Sequence, residues 1–254
     1  MSAHRALEED FRRAVSGDLR LLARLHDHEL SASDLQALAR VGFPDNLGLR
    51  LEGDSGREAL FFLCRVVASW AGLESEQPLV DALAADYAAI YLNHSYQASP
   101  FESVWLDEDH LAMQEPMFQV RAWYRRYGLA VPDWRRRADD HLAYQLEFMA
   151  HLAESRAEET WSALARFLDE HPLRWIGDFA ERVTQRAQEP FYVGLARITA
   201  AYLDELRDVL VQLLGEPRPD PEEIERRMQQ ATRAGQRPDL AQPAAYVPGV
   251  GPTW

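Results

Sequence analysis

The chain has no lysine, a single cysteine and no long apolar run. The last two features limit the cellular compartment and the kind of protein that we expect. All 27 basic residues are arginine, which we interpret as composition rather than function. The lone Cys64 excludes an internal disulfide and suits a reducing compartment. The longest apolar stretch, residues 191–203, is interrupted by Arg197 and is too short to span a bilayer. The charged first ten residues do not resemble a signal peptide. We therefore expect a cytoplasmic protein with no stable membrane insertion.

Motifs for bound cofactors are also missing from the sequence. There is no glycine-rich phosphate loop and no serine-centred nucleophile elbow. None of the eight histidines has a glutamate three residues before it, as a di-iron helical bundle needs. Glu147 and His151 lie one helical turn apart, but a single pair is a weak ligand set. The sequence predicts no cofactor and no metal.

The charge of the chain is strongly negative, with a formal net value of -14. Binding to nucleic acid needs a basic footprint, so the charge argues against a nucleic-acid partner. An acidic surface would instead favour a cationic partner. Simple solubility explains the same charge equally well.

Helical periodicity recurs along the chain, whereas strand signals are almost missing, so we predict an all-α protein. Residues 1–214 are expected to form a single helical-bundle domain of about nine helices without a sheet. A possible break near Ser16-Gly17 leaves one or two helices in the first segment. The expected helical segments are residues 6–26, 33–40, 56–71, 78–91, 116–127, 140 onward, 158–170, 172–188 and 190–214.

Two regions depart from this helical pattern. Residues 93–115 are predicted to be a long irregular loop, and their aromatic residues argue against disorder. Residues 215–254 form a Pro-rich C-terminal extension. We predict one short helix over 222–234 and then a flexible tail. The long loop would permit domain swapping, so a monomer and a domain-swapped dimer both remain open.

The first segment with candidate binding chemistry is residues 99–105, Ser-Pro-Phe-Glu-Ser-Val-Trp. Phe101 and Trp105 would offer an apolar wall, with Glu102 and Ser103 as a polar handle beside it. The alternative is that the aromatic residues simply pack the loop against the core.

The second segment, residues 139–149, has the pattern of a helix start. Asp139 or Asp140 can cap this helix, which would put His141 in a first turn where a solvent-facing site is easily built. One interpretation is a helix cap beside a half-exposed histidine. The other is an Asp140–His141 pair that binds the arginines of a peptide through charge-assisted hydrogen bonds.

Together the two segments resemble motifs of the TorD/DmsD family. Residues 100–105 match its Pro-aromatic-Glu-Ser-Val-aromatic loop, and residues 140–149 match its helix Asp-His-Leu-Ala-x-x-Leu-Glu-Phe-Met. The resemblance extends over about residues 59–214. It departs at Arg137-Ala138, where the family has Glu-Pro. Members are cytoplasmic chaperones that mature molybdenum-containing redox enzymes exported by the twin-arginine route.

The resemblance implies a system-specific chaperone with a TorD-like helical bundle. It would bind the twin-arginine signal peptide and the apo form of a molybdopterin oxidoreductase of the DMSO-reductase superfamily, assist cofactor insertion and delay export. It implies no catalytic residue. The candidate client-binding residues are Asp140, His141, Phe101, Glu102, Ser103, Trp105 and Glu147.

Two other functions would need different structures. A small all-α enzyme using Asp140, His141 and Glu147 in acid–base chemistry would need a closed pocket with a strongly perturbed carboxylate. A purely structural assembly factor would have no groove. A chaperone for signal peptides would need an open, elongated apolar groove with an acidic rim.

Overall fold

The computed structural model describes residues 3–235 except residues 74 and 158, and in this part of the chain it contains helices and no β-strand. The predicted all-α class is therefore confirmed. The α-helices are α1 (Ala3–Asp27), α2 (Ala32–Val41), α3 (Asp54–Ala68), α4 (Gln77–Tyr87), α5 (Glu102–Leu106), α6 (Glu115–Arg126), α7 (Leu142–Glu154), α8 (Thr160–Glu170), α9 (Ile176–Arg186), α10 (Pro190–Leu214) and α11 (Pro221–Gly235).

Two helices form the centre of the bundle. α7 packs against α1 and α8, while α10 packs against α3 and α9. Nine of the 13 residues of α7 are buried, and a helix that is apolar on nearly all sides belongs in a protein interior. The segment that follows the Asp-His motif is thus a core element of the fold.

The first helix, α1, is continuous through Ser16 and Gly17, where a break was one of the two expectations. The Ser16 hydroxyl donates to the Arg13 carbonyl at 3.2 Å, so the helix accommodates this side chain within its own turn. Val15, Leu19 and Leu22 form a fully buried stripe on either side of this point. Burial of that stripe outweighs the weak helix propensity of the Ser-Gly pair.

Residues 93–115 are not wholly irregular, because they contain the short helix α5. With α5 included, ten α-helices precede Gly215 in the described residues, where about nine were expected. A five-residue helix shows no readable periodicity, which is why the sequence pattern missed it. Four non-glycine residues of this segment have left-handed φ angles, namely His94, Gln97, His110 and Met113. Such residues are uncommon and recur at functional sites.

The helix expected over 78–91 is present, because α4 continues as a π-helical turn over Ala88–Leu92. One other expected helix is divided. The helix expected over 172–188 is instead a 3-10 turn, Pro172–Arg174, followed by α9. Between them Trp175 has a φ of -141° and a buried indole, so burial of this large ring interrupts the helix.

The C-terminal helix α11 lies against α6 and α8. Met228 is buried there, and the Gln119 side-chain amide donates to the Thr232 hydroxyl at 2.7 Å. The helix expected in the extension is therefore present and docks on the bundle. The flexible tail expected after Gly235 lies outside the described residues. Within the described range, no helix combines the length and the apolar run that crossing a bilayer requires.

Candidate functional site

The two motif segments, residues 99–105 and 139–149, lie side by side. Phe101 and His141 form an isolated antiparallel bridge. The Glu102 N–H donates to the Asp140 carbonyl at 3.2 Å, and the Leu142 N–H donates to the Pro100 carbonyl at 2.8 Å. Segments that are distant in the sequence are thus joined by backbone hydrogen bonds into one unit.

The Asp140 carboxylate holds α5 rather than α7. Its Oδ2 accepts a hydrogen bond from the Ser103 N–H at 2.8 Å and another from the Ser103 hydroxyl. Oδ1 is buried without a hydrogen-bond partner among the described residues. Burial raises the pKa of Asp140 to about 6; the bonds from Ser103 lower it and the charge of Glu102 raises it.

His141 is the residue that caps α7. The Ala143 N–H donates to His141 Nδ1 at 3.1 Å, and the ring lies 5.1 Å from Phe101 and 6.0 Å from Tyr144 between ring centroids. Burial holds the pKa of His141 well below its usual range, so the ring is neutral at physiological pH. The expectations that an aspartate caps this helix and that His141 faces solvent are therefore wrong. Residues 100–103 cover the start of α7.

Asp139 points toward α6. Arg121 donates to both of its carboxylate oxygens, at 3.2 and 2.9 Å. The Tyr124 hydroxyl donates to the Asp139 carbonyl at 3.0 Å. Such a two-bond pairing fixes orientation as well as distance, so the turn before α7 is tied to α6 as well as to α5.

Glu102 lies in a second polar contact set, which we call the Glu102 cluster and define as Glu102, Gln145 and His171. His171 Nδ1 lies 2.8 Å from Glu102 Oε1, and the Gln145 side-chain amide donates to Oε2 at 2.8 Å. All three side chains are fully buried. The cluster therefore links α5, α7 and the turn before α9.

Sequence reasoning missed Gln145 and His171 as members of the site. A signal for His171 was available, because the His-Pro pair at 171–172 marks a helix boundary. Gln145 lies one position before Leu146, on the buried side of α7, and a buried glutamine requires a polar partner. Neither signal identifies Glu102 as that partner, since the two contacts span 69 and 43 positions.

The remaining candidate side chains are more exposed than those of the buried unit. Phe101 and Trp105 are partly exposed, and the Trp105 indole N–H donates to the Ser99 carbonyl at 2.8 Å. Glu147 is exposed on α7 and makes no hydrogen bond or salt bridge to a described residue. The structure thus joins Phe101, Glu102, Ser103, Asp140 and His141 in one contact network. Trp105 is linked to it through Ser99, whereas Glu147 lies apart.

Glu147 borders an open cleft of about 300 Å³ between α7 and the residues that follow α6. We call this the Glu147 cleft. Its polar lining consists of Arg20, Glu147 and His151, and Arg20 is already paired with Glu154. Asp140 and His141 do not line it. Its apolar and aromatic lining consists of Tyr124, Leu129, Ala130, Val131, Pro132, Tyr144 and Phe148.

This arrangement suits binding rather than acid–base chemistry. A catalytic carboxylate must reach a substrate, whereas Asp140 is enclosed by α5 and α7. Among the described residues no group of three or more His, Cys, Asp or Glu is placed to hold a metal ion. An apolar cleft with an exposed acid at its edge, near Arg20 but without a hydrogen bond to it, fits a ligand that has both an apolar and a cationic part.

Comparison with known proteins gives consistent results. The family model described as nitrate reductase delta subunit matches residues 55–181, which include both motif segments. The chaperone protein TorD of Vibrio cholerae serotype O1 is 31% identical over 153 residues, which cover 57% of this chain and 69% of that protein. The chaperone protein TorD of Shewanella pealeana is 29% identical over 191 residues, which cover 72% of this chain and 81% of that protein.

These relatives are named as chaperones, and the matched region includes the joined segments described above. The chain therefore belongs to the TorD/DmsD family of chaperones and is not an enzyme, as the resemblance of its two motif segments predicts.

Proposed function

We propose that this protein is a cytoplasmic, system-specific chaperone for a molybdopterin oxidoreductase of the DMSO-reductase superfamily. It binds the twin-arginine signal peptide and the apo form of its client, assists cofactor insertion and delays export. No covalent chemistry is needed, because a sequestered signal peptide cannot engage the export machinery. One observation supports the proposal above all. The two segments that match the family motifs are hydrogen-bonded to each other in one buried unit beside the Glu147 cleft.

The Glu147 cleft is the proposed site for the signal peptide. Leu129, Val131 and Tyr144 provide a surface for the hydrophobic stretch of the peptide. Glu147 has no ion-pair partner among the described residues and can accept hydrogen bonds from a peptide arginine. The net charge of -14 adds a long-range attraction for a cationic peptide.

The buried candidates have a positioning role in this proposal. Ser103 and Asp140 hold α5 against the start of α7, and His141 caps α7, which carries Tyr144 and Glu147 into the cleft. Direct contact between Asp140 and a peptide arginine would require α5 to separate from α7. The partly exposed rings of Phe101 and Trp105 extend the apolar surface available to the client.

Calorimetric titration with a twin-arginine signal peptide tests the function. The peptide should come from a molybdopterin oxidoreductase of the same genome, and the control should replace both arginines by lysine. Because release must precede export, we expect a micromolar Kd, corresponding to about -8 kcal/mol. The lysine control should bind at least about tenfold more weakly, since lysine cannot form the two-bond contact of arginine with a carboxylate. Absence of binding to every such signal peptide would refute the proposal.

The position of the peptide is tested separately with Glu147→Gln. We expect an affinity loss of about five- to tenfold, from loss of one charge-assisted hydrogen bond. The matched control is Glu181→Gln, which makes the same charge change at an exposed position of α9 outside the cleft. Equal losses in both variants would attribute the effect to net charge and exclude the cleft as the site.

A further inference from the structure

A second cavity lies on the side of α6 that faces α8 and α11. Its volume is about 590 Å³, and its lining includes the aromatic residues Phe118 and Trp123 and four arginines, Arg121, Arg125, Arg126 and Arg166. We call it the arginine cavity. It shares no lining residue with the Glu147 cleft, so the two sites can be occupied independently.

The arginine cavity is a basic surface on an acidic protein. Residues 121–137 contain six of the 27 arginines and a single acid, Asp133, in a chain of net charge -14. Arg125 and Arg126 are exposed, and neither guanidinium forms a salt bridge with a described residue. These two charges therefore remain available for an anionic partner.

The other charges of the cavity are largely neutralised within the protein. Arg121 is paired with Asp139 at 2.9 Å, and Arg166 with Glu170 at 2.6 Å. Glu115 lies in the first turn of α6, whereas Arg125 and Arg126 lie in its last turn, about 15 Å away at 1.5 Å per residue. The C-terminal end of α6 thus has an uncompensated positive charge.

The aromatic residues give this surface an apolar component. The guanidinium carbons of Arg126 and Arg166 lie 5.8 and 5.6 Å from the centre of the Trp123 ring, within the range of cation–π attraction. Phe118 is 48% exposed. A ligand for this surface therefore needs both negative charge and an apolar group.

A buried histidine lies at the edge of the cavity. His171 lines the cavity and is fully buried, with Nδ1 2.8 Å from Glu102. Its Nε2 is buried and has no hydrogen-bond partner among the described residues. This nitrogen has no accessible surface, so a ligand in the cavity would reach it only if the side chains that cover it moved.

We propose that the arginine cavity binds an acidic segment of a partner protein, rich in Asp or Glu and containing an apolar residue. A peptide fits better than a small anion because the volume exceeds what one phosphate or carboxylate fills, and because the aromatic surface extends beyond the charges.

Fluorescence anisotropy of the full chain with a labelled acidic peptide tests this proposal. The probe is a short glutamate peptide with one phenylalanine and one leucine, and its control has glutamine at every glutamate. We expect the acidic probe to bind and the glutamine probe not to bind. The variant Arg125→Glu/Arg126→Glu should weaken binding by at least about tenfold, because it removes two charges and adds repulsion.

The matched control is Arg40→Glu/Arg186→Glu. These residues are also exposed and lie in the last turns of α2 and α9. Both double variants therefore change the net charge by the same amount, at the same kind of helix position. Their loss of affinity should stay below about threefold, and thermal melts should show that both variants fold. If both double variants lose the same affinity for the probe, the loss is due to the change in net charge and the proposal is overturned.

Two further outcomes would also overturn it. Displacement of the probe by micromolar inorganic pyrophosphate would identify a small-anion site. A dimer that Arg125→Glu/Arg126→Glu dissociates, seen by analytical ultracentrifugation, would identify a second copy of this chain as the occupant. None of these measurements uses a signal peptide, so failure of the proposed chaperone function would leave them unaffected.

Discussion

At the scale of single residues, Asp140 is a buried carboxylate with one unpaired oxygen among the described residues. A buried carboxylate is unfavourable unless its oxygens are hydrogen-bonded, yet only Oδ2 accepts bonds, both from Ser103, whereas Oδ1 has none among the described residues. The raised pKa of Asp140 follows from this burial. Its ionisation therefore opposes folding near neutral pH, which makes it visible in stability measurements.

The pH dependence of stability should contain a contribution from Asp140. Its folded pKa of about 6 lies above the ordinary value of 3.8, so between these values the folded chain binds a proton that the unfolded chain releases. Stability from this group therefore rises as the pH falls through the window. Relative to Asp140→Asn, the wild type should gain about 1 kcal/mol between pH 7.5 and pH 5.5.

Urea unfolding of both proteins at the two pH values measures this difference. The comparison cancels the many other acids of the chain, because the variant retains all of them. If the difference in unfolding free energy between wild type and Asp140→Asn does not change with pH, the pKa of Asp140 is the same in the folded and unfolded chains. Burial would then not raise this pKa.

At the scale of elements, α5 and α11 are the helices whose position depends most on partners from elsewhere in the chain. α5 has five residues and is held by Asp140 and the Glu102 cluster. An isolated helix of this length does not form in water. α11 is longer, but among its residues 221–232, whose burial the structure describes, Met228 is the one buried hydrophobic residue in the docked interface.

Truncation after Gly215 tests whether residues 1–214 form a domain without the extension. We expect a cooperative melt with Tm lowered by roughly 5–10 °C, because burial of Met228 and the Gln119–Thr232 bond are lost, at about 2–4 °C per kcal/mol for a chain of this size. Circular dichroism should also show the loss of one helix.

Truncation after Gly235 is the matched control. It removes residues 236–254, whose composition offers few candidate core residues, and should leave the Tm unchanged within about 1 °C. A chain ending at Gly215 that melts without cooperativity would show that α11 is integral to the domain, contrary to the predicted boundary.

At the scale of the whole molecule, charge is distributed unevenly. The chain is acidic overall at -14. Glu147 is the acid of its cleft, and the arginine cavity has two guanidiniums without a salt bridge to a described residue. The two proposed sites therefore differ in the charge of the ligand that each prefers. Long-range attraction to the net charge should act on a cationic signal peptide only.

Ionic strength separates this long-range attraction from direct contact. Between 50 and 300 mM NaCl the Kd of the twin-arginine peptide should rise about three- to tenfold, because salt screens exposed charges. The lysine control peptide has the same charge, so its Kd should rise by the same factor from a weaker starting value. A Kd for the arginine peptide that does not change with salt would exclude the electrostatic contribution.

Helical class, most helix positions and the two motif segments could be predicted from the order of residues alone, because helical periodicity is a local property. Local pattern also explains the errors. It placed an aspartate at the cap of α7, where His141 is found, and it could not detect the five residues of α5.

The burial of Asp140 and His141 and the exposure of Glu147 depend on how the helices pack. Burial depends on which distant segment covers a residue, and here residues 100–103 fold over the start of α7. Glu102 contacts His171 across 69 positions, and no local pattern specifies such a pairing. The cleft and the cavity have the same origin, because each is a space between elements whose relative placement is set by packing of the whole core.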